Sequence, residues 1–151
     1  MSKENIAAKP HRAPWHLWFV GVVSLLWNGM GAFDFVMTKI RSESYMSQFT
    51  PEQLEYFYSF PLWANIGWTF GVWGSLLGSV ALLLRSRWAV WLFALSIAGL
   101  LVTTIYNFVL TNGAEIMGGG IFVWVFSALI WLVTIALFFY ARRMAGVGVL
   151  R

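Results

Sequence analysis

The chain has 151 residues, of which 60% are hydrophobic and only 11% charged, with a formal net charge of +4. A soluble domain carries about 25% charged residues, so this composition excludes an ordinary water-soluble globule. Cysteine is absent, which removes disulfides, thiol redox chemistry and thiolate metal sites. The only histidines, His11 and His16, lie near the start of the chain and exclude a haem held by two histidines across a bundle.

Residues 1–14 form a polar tail carrying Lys3, Lys9 and Arg12. The first apolar run, 15–37, is longer than the core of a signal peptide. Thr38-Lys39-Ile40-Arg41 follows it rather than a small-residue cleavage site, so it reads as an uncleaved signal anchor. The loop 38–60 contains Thr50-Pro51-Glu52-Gln53, a capping box with proline at the first helical position. The aromatic stretch Leu54-Glu55-Tyr56-Phe57-Tyr58-Ser59-Phe60 then predicts a short amphipathic helix at the outer interface, strapped over the bundle. Further apolar runs cover 61–84, 88–110 and 120–140, separated by the basic link Arg85-Ser86-Arg87 and the loop 111–119. The chain closes on a basic tail, 141–151.

Each run is long enough to cross a hydrocarbon core of about 30 Å as a helix, the conformation that satisfies its own backbone in lipid. Trp15, Trp18, Trp63, Trp88 and Trp91 mark run ends, as interfacial aromatic belts do. Lys3, Lys9, Arg12, Arg85, Arg87, Arg142, Arg143 and Arg151 fall on one side of the four runs, and only Lys39 and Arg41 on the other. The positive-inside bias therefore predicts an all-α, antiparallel four-helix transmembrane bundle with both termini cytoplasmic. The transmembrane domain is expected over 15–140. The basic segments are explained by topology and by anionic lipid headgroups rather than by nucleic acid.

The second run carries Gly67, Gly71, Gly74 and Gly78 on one face, a small-residue row that allows close backbone approach. The expected partner is a neighbouring helix of the same chain, with a second copy as the alternative. Polar stripes on the first run (Gly21, Ser24, Asn28, Gly31) and the third (Ser96, Gly99, Thr103, Asn107) are expected to meet. Asn28, near the midplane, is assigned Thr103 or Thr104 as its partner.

Asp34, Asn65 and Asn107 fall about 5 Å below the outer boundary at the helical rise per residue. With Glu115 in the adjoining loop they make a candidate outward-facing pocket for a small polar solute. The sequence holds no metalloprotease, nucleophile-elbow, phosphate-loop or dinucleotide motif and no paired acids on one span, so neither an enzyme nor a cofactor or metal site is expected.

The chain resembles a group of small bacterial inner-membrane proteins that often carry the label "sugar transporter". The matching residues are Leu26-Trp27-Asn28, Phe49-Thr50-Pro51-Glu52-Gln53, Pro61-Leu62-Trp63-Ala64, Gly71-Val72-Trp73-Gly74, Arg85-Ser86-Arg87-Trp88, Asn107-Phe108-Val109-Leu110-Thr111-Asn112-Gly113 and the basic tail. The resemblance implies a bacterial inner membrane and four spans, and carries over no site residues. Two roles follow as expectations. One is binding or transport of a small polar solute. The other is a non-transporting accessory or scaffold subunit of another membrane protein, with homo-oligomers also possible.

Overall fold

A computed structural model describes residues 11–151, all of the regular elements being helical. Lys3, Lys9 and the rest of segment 1–10 lie outside the described residues. The elements are α1 (Trp15–Lys39), α2 (Glu43–Met46), α3 (Pro51–Tyr58), α4 (Leu62–Leu83), α5 (Trp88–Ile105), a π-helical turn (Tyr106–Leu110), α6 (Gly113–Ile116) and α7 (Ile121–Gly146). Four helices are long and apolar enough to cross a membrane: α1, α4, α5 with its π turn, and α7. At the helical rise they measure about 33 to 39 Å.

α5 starts close to the end of α4, and hydrogen bonds bring the remaining ends together. Arg85 Nη2 donates to His11 O at 2.8 Å, and Arg151 N to Arg85 O at 2.7 Å. The starts of α1 and α5 and the ends of α4 and α7 therefore share one end of the molecule, which makes the helices alternate in direction. Arg12, Arg85, Arg87, Arg142, Arg143 and Arg151 all belong to this arginine end. Lys39, Arg41, α2, α3 and α6 make up the opposite end, called here the loop end.

The closest packing is between α4 and α5, and glycine is its cause. A Cβ on Gly74 would lie 2.9 Å from Leu92 O and 3.0 Å from Ser96 N, both backbone atoms. A Cβ on Gly99 would lie 2.9 Å from Gly71 Cα, with Gly71 N and Gly67 O closer still. The two backbones nearly touch, and Ser96 Oγ donates across the seam to Gly71 O at 2.7 Å. Where lipid offers no hydrophobic drive between helices, such contact and hydrogen bonding hold them together. The glycine row thus faces α5 of the same chain.

The polar stripes of α1 and α5 do not meet, because α4 lies between these helices and carries small residues on two adjoining faces. Asn28 Nδ2 donates to Ser79 Oγ at 2.9 Å and to Ser75 O at 3.2 Å, both on α4. Thr103 and Thr104 turn back onto Leu100 O at 3.0 and 2.7 Å, and Thr104 Oγ1 accepts Trp131 Nε1 from α7 at 3.0 Å. A Cβ on Gly31 would meet no other described residue within 4 Å. Asn28→Ala should lower thermal stability in detergent by about 0.6 kcal/mol, the mean for such interhelical bonds. Ser79→Ala in that background should add little, a double-mutant cycle being the check.

α1 and α7 complete the ring through side chains, His16 Nδ1 with Tyr140 OH at 2.6 Å and the Trp27 and Phe126 rings. The last residues are not a free basic tail. α7 runs to Gly146, and after the turn at Gly148 (φ 77°) Val149 and Leu150 enter the core beside Leu17, Leu82 and Phe93. Arg87 N donates to Arg151 O at 2.9 Å, which fastens the segment to the α4–α5 link.

Candidate functional site

The candidate polar residues gather at the loop end, and the local sequence explains how. Thr50 caps α3 as its motif predicts: Gln53 N donates to Thr50 Oγ1 at 3.2 Å, and Thr50 N to Gln53 Oε1 at 3.1 Å. Gln53 Nε2 also donates to Ile116 O at 3.1 Å, tying α3 to α6. At the end of α5 the backbone widens into the π turn, and Thr111 N closes it onto Tyr106 O at 3.1 Å. Such π turns are rare and occur frequently at functional sites, and this one contains a candidate residue.

That residue is Asn107. The Tyr56 hydroxyl donates to Asn107 Oδ1 at 2.6 Å and meets Thr111 Oγ1 at 2.9 Å. The Tyr56 side chain is buried, with its ring among Phe60 at 5.3 Å and Tyr106 at 6.1 Å. A Cβ on Gly113 would strike the Tyr56 hydroxyl and lie 2.8 Å from Cζ, so only glycine lets α6 approach. Burial raises the Tyr56 hydroxyl above the ordinary tyrosine value, against a lowering by its Thr111 bond. Tyr56→Phe should cost about 1 kcal/mol, the net worth of a neutral hydrogen bond, and free α3 to exchange amide hydrogens faster. Hydrogen exchange followed by mass spectrometry reads the second effect directly.

Of the other three candidates, Asp34 and Asn65 have separate partners. Asp34 Oδ1 accepts the Tyr45 hydroxyl of α2 at 2.7 Å. Asn65 Oδ1 accepts from Lys39 Nζ, and Asn65 Nδ2 donates to Phe60 O at 2.8 Å. The Lys39 ammonium lies 5.0 Å from the centre of the Trp68 ring and 5.7 Å from that of Phe35. Glu115 is exposed in the first turn of α6. Among the described residues no hydrogen bond joins any two of Asp34, Asn65, Asn107 and Glu115. Asp34, Asn65 and Asn107 each fasten a different loop-end element: α2, the α1 terminus with the α3–α4 corner, and α3.

Tyr45 is pushed up to about 12, first by burial and then by the Asp34 bond and its negative charge. A tyrosine raised in the folded state contributes stability that is fully present below its unfolded value of 10 and is lost as pH climbs towards about 12. Alkaline titration should therefore loosen α2 in that window. In Asp34→Asn protein tyrosinate absorbance should rise at lower pH than in the parent.

The residues that organise this end beyond the candidates are Tyr45, Tyr56, Thr111 and Lys39. A surface recess on α1 adjoins this end at Tyr45. It is an open apolar groove of about 470 Å³ on α1, lined by Leu25, Leu26, Gly29, Met30 and Phe33 and roofed by Tyr45. Among the described residues no three His, Asp or Glu side chains come together as a metal site would require. Comparison of the chain with protein-family models, with curated proteins and with solved structures finds no match.

Proposed function

We propose that the chain is a multi-pass protein of a bacterial inner membrane, with its arginine end in the cytoplasm, that acts as a non-transporting accessory subunit. Its role is to hold a transmembrane helix of another membrane protein against α1. The observation that carries this reading is that Asp34, Asn65 and Asn107 already have partners within the chain, while the recess on α1 is apolar and open to the side. Val22, Leu26, Gly29 and Phe33 follow one another at spacings of four, three and four along the grooved face. That is the spacing of a helix–helix seam with a crossing near 20°. Val22, Leu26 and Phe33 are about half to two-thirds exposed, and Gly29 has open space where a Cβ would be. A small residue between large ones is the notch into which a partner helix packs.

A photoreactive amino acid at Leu26 or Met30 tests this in native membranes, with Leu132 on α7 as the exposed control. Discrete protein adducts from the α1 positions, with only lipid adducts from Leu132, are expected. Lipid adducts alone from all three positions contradict the accessory role. Orientation is read from fusions after Arg151: a fluorescent protein should glow and an alkaline phosphatase should be inactive. An active phosphatase there reverses the topology.

A further inference from the structure

At the arginine end, Leu84, Arg85, Ser86 and Arg151 line a second open recess of about 250 Å³. Arg85 ends α4 with φ 55°, the left-handed conformation in which glycine is the usual residue. An arginine there accepts backbone strain, and its side chain shows what it does instead. Nε donates to Val149 O at 3.1 Å and Nη2 to His11 O at 2.8 Å, which fixes the guanidinium and uses only part of its donor set. Arg151 is held by its backbone, N to Arg85 O at 2.7 Å and O from Arg87 N at 2.9 Å, while the residue stays exposed. The first turn of α5 begins beside Ser86 and adds the partial positive charge of a helix start. Among the described residues every acidic side chain, of Asp34, Glu43, Glu52, Glu55 and Glu115, belongs to α1 beyond its midpoint or to the loop-end helices. Leu84, Trp88 and Trp91, each at least 70% exposed, continue from the recess as an apolar strip.

We propose that this recess binds the phosphate of one anionic phospholipid per chain. Arg85 and Arg151 meet the phosphate oxygens, and Leu84 and Trp88 lie along the first part of the acyl chains. A free phosphate shares the headgroup chemistry but has no use for the apolar strip. The site is independent of what docks on α1.

Native mass spectrometry and thermal unfolding of the full chain in neutral detergent test it, with phosphatidylglycerol, phosphatidylcholine and inorganic phosphate as probes. One retained phosphatidylglycerol and a rise in unfolding temperature are expected, with neither effect from phosphatidylcholine. Arg151→Gln should weaken binding by about tenfold or more. Arg142→Gln, equal in charge, should weaken it by about fivefold or less, the diffuse contribution of one basic residue near a membrane surface. Without lipid, Arg151→Gln should unfold like the parent, because its backbone bonds survive. No retained lipid, or equal losses in the two variants, overturns the site. Equal stabilisation by inorganic phosphate keeps the anion site and overturns its assignment to a lipid.

Discussion

Gly99→Ala should destabilise the protein more than any other single methyl addition at the α4–α5 seam. The added carbon meets backbone of α4, at Gly71 and Gly67, and backbone cannot move aside as a flexible side chain can. The two helices must separate, at a cost of roughly 1–3 kcal/mol or more for overpacking. The same substitution at Gly71 meets its nearest atom, Leu100 N, at an ordinary 3.4 Å and should be nearly silent. Gly74→Ala, at 2.9 Å from Leu92 O, should fall between them. Gly71→Leu outgrows the available space and should behave like Gly99→Ala. Unfolding temperatures in detergent rank the variants, and an order with Gly71→Ala worst would contradict the seam.

Leu150→Asp should be comparably disruptive. Leu150 is fully buried against a core that joins α1, α4, α5 and α7. The change forfeits roughly 1.5–3 kcal/mol of apolar burial and puts a carboxyl among the apolar side chains of that core. Leu150→Met keeps volume and should cost under about 1.5 kcal/mol. The pair separates a packed plug from a dangling tail: a tail would tolerate the aspartate. Limited proteolysis provides the readout, since release of the segment exposes the backbone from Arg143 to Gly148.

What could be read in the sequence was whatever repeats along one helix. Three of the four long helices begin and end close to their apolar runs, α7 continues six residues past the run 120–140 to Gly146, and the capping box at Thr50 and the glycine row of α4 appear where their spacing places them. Periodicity does not say which neighbour a face meets. Polar stripes on both helices point Asn28 towards α5, but its partners are Ser75 and Ser79 of α4. The loop end was harder still. Depth alone grouped Asp34, Asn65 and Asn107, whereas their partners come from elements with no fixed spacing to them. Tyr56 reaches Asn107 across 51 positions, through a π turn that no residue pattern announces. Val149 and Leu150 sit between a glycine and an arginine in a basic segment, and two apolar residues there give no periodic signal of burial.

The proposed accessory role requires that the polar residues of the loop end fasten helices rather than receive a solute. Its most direct test is thermal unfolding of parent and Asp34→Asn protein across a panel of sugars, polyols and amines. If Asp34 serves only to hold Tyr45, no compound will stabilise the parent in a way that depends on the carboxylate, and the two proteins will give the same profile across the panel. A compound that raises the unfolding temperature of the parent and loses that effect in Asp34→Asn would contradict the account and locate a solute site at Asp34.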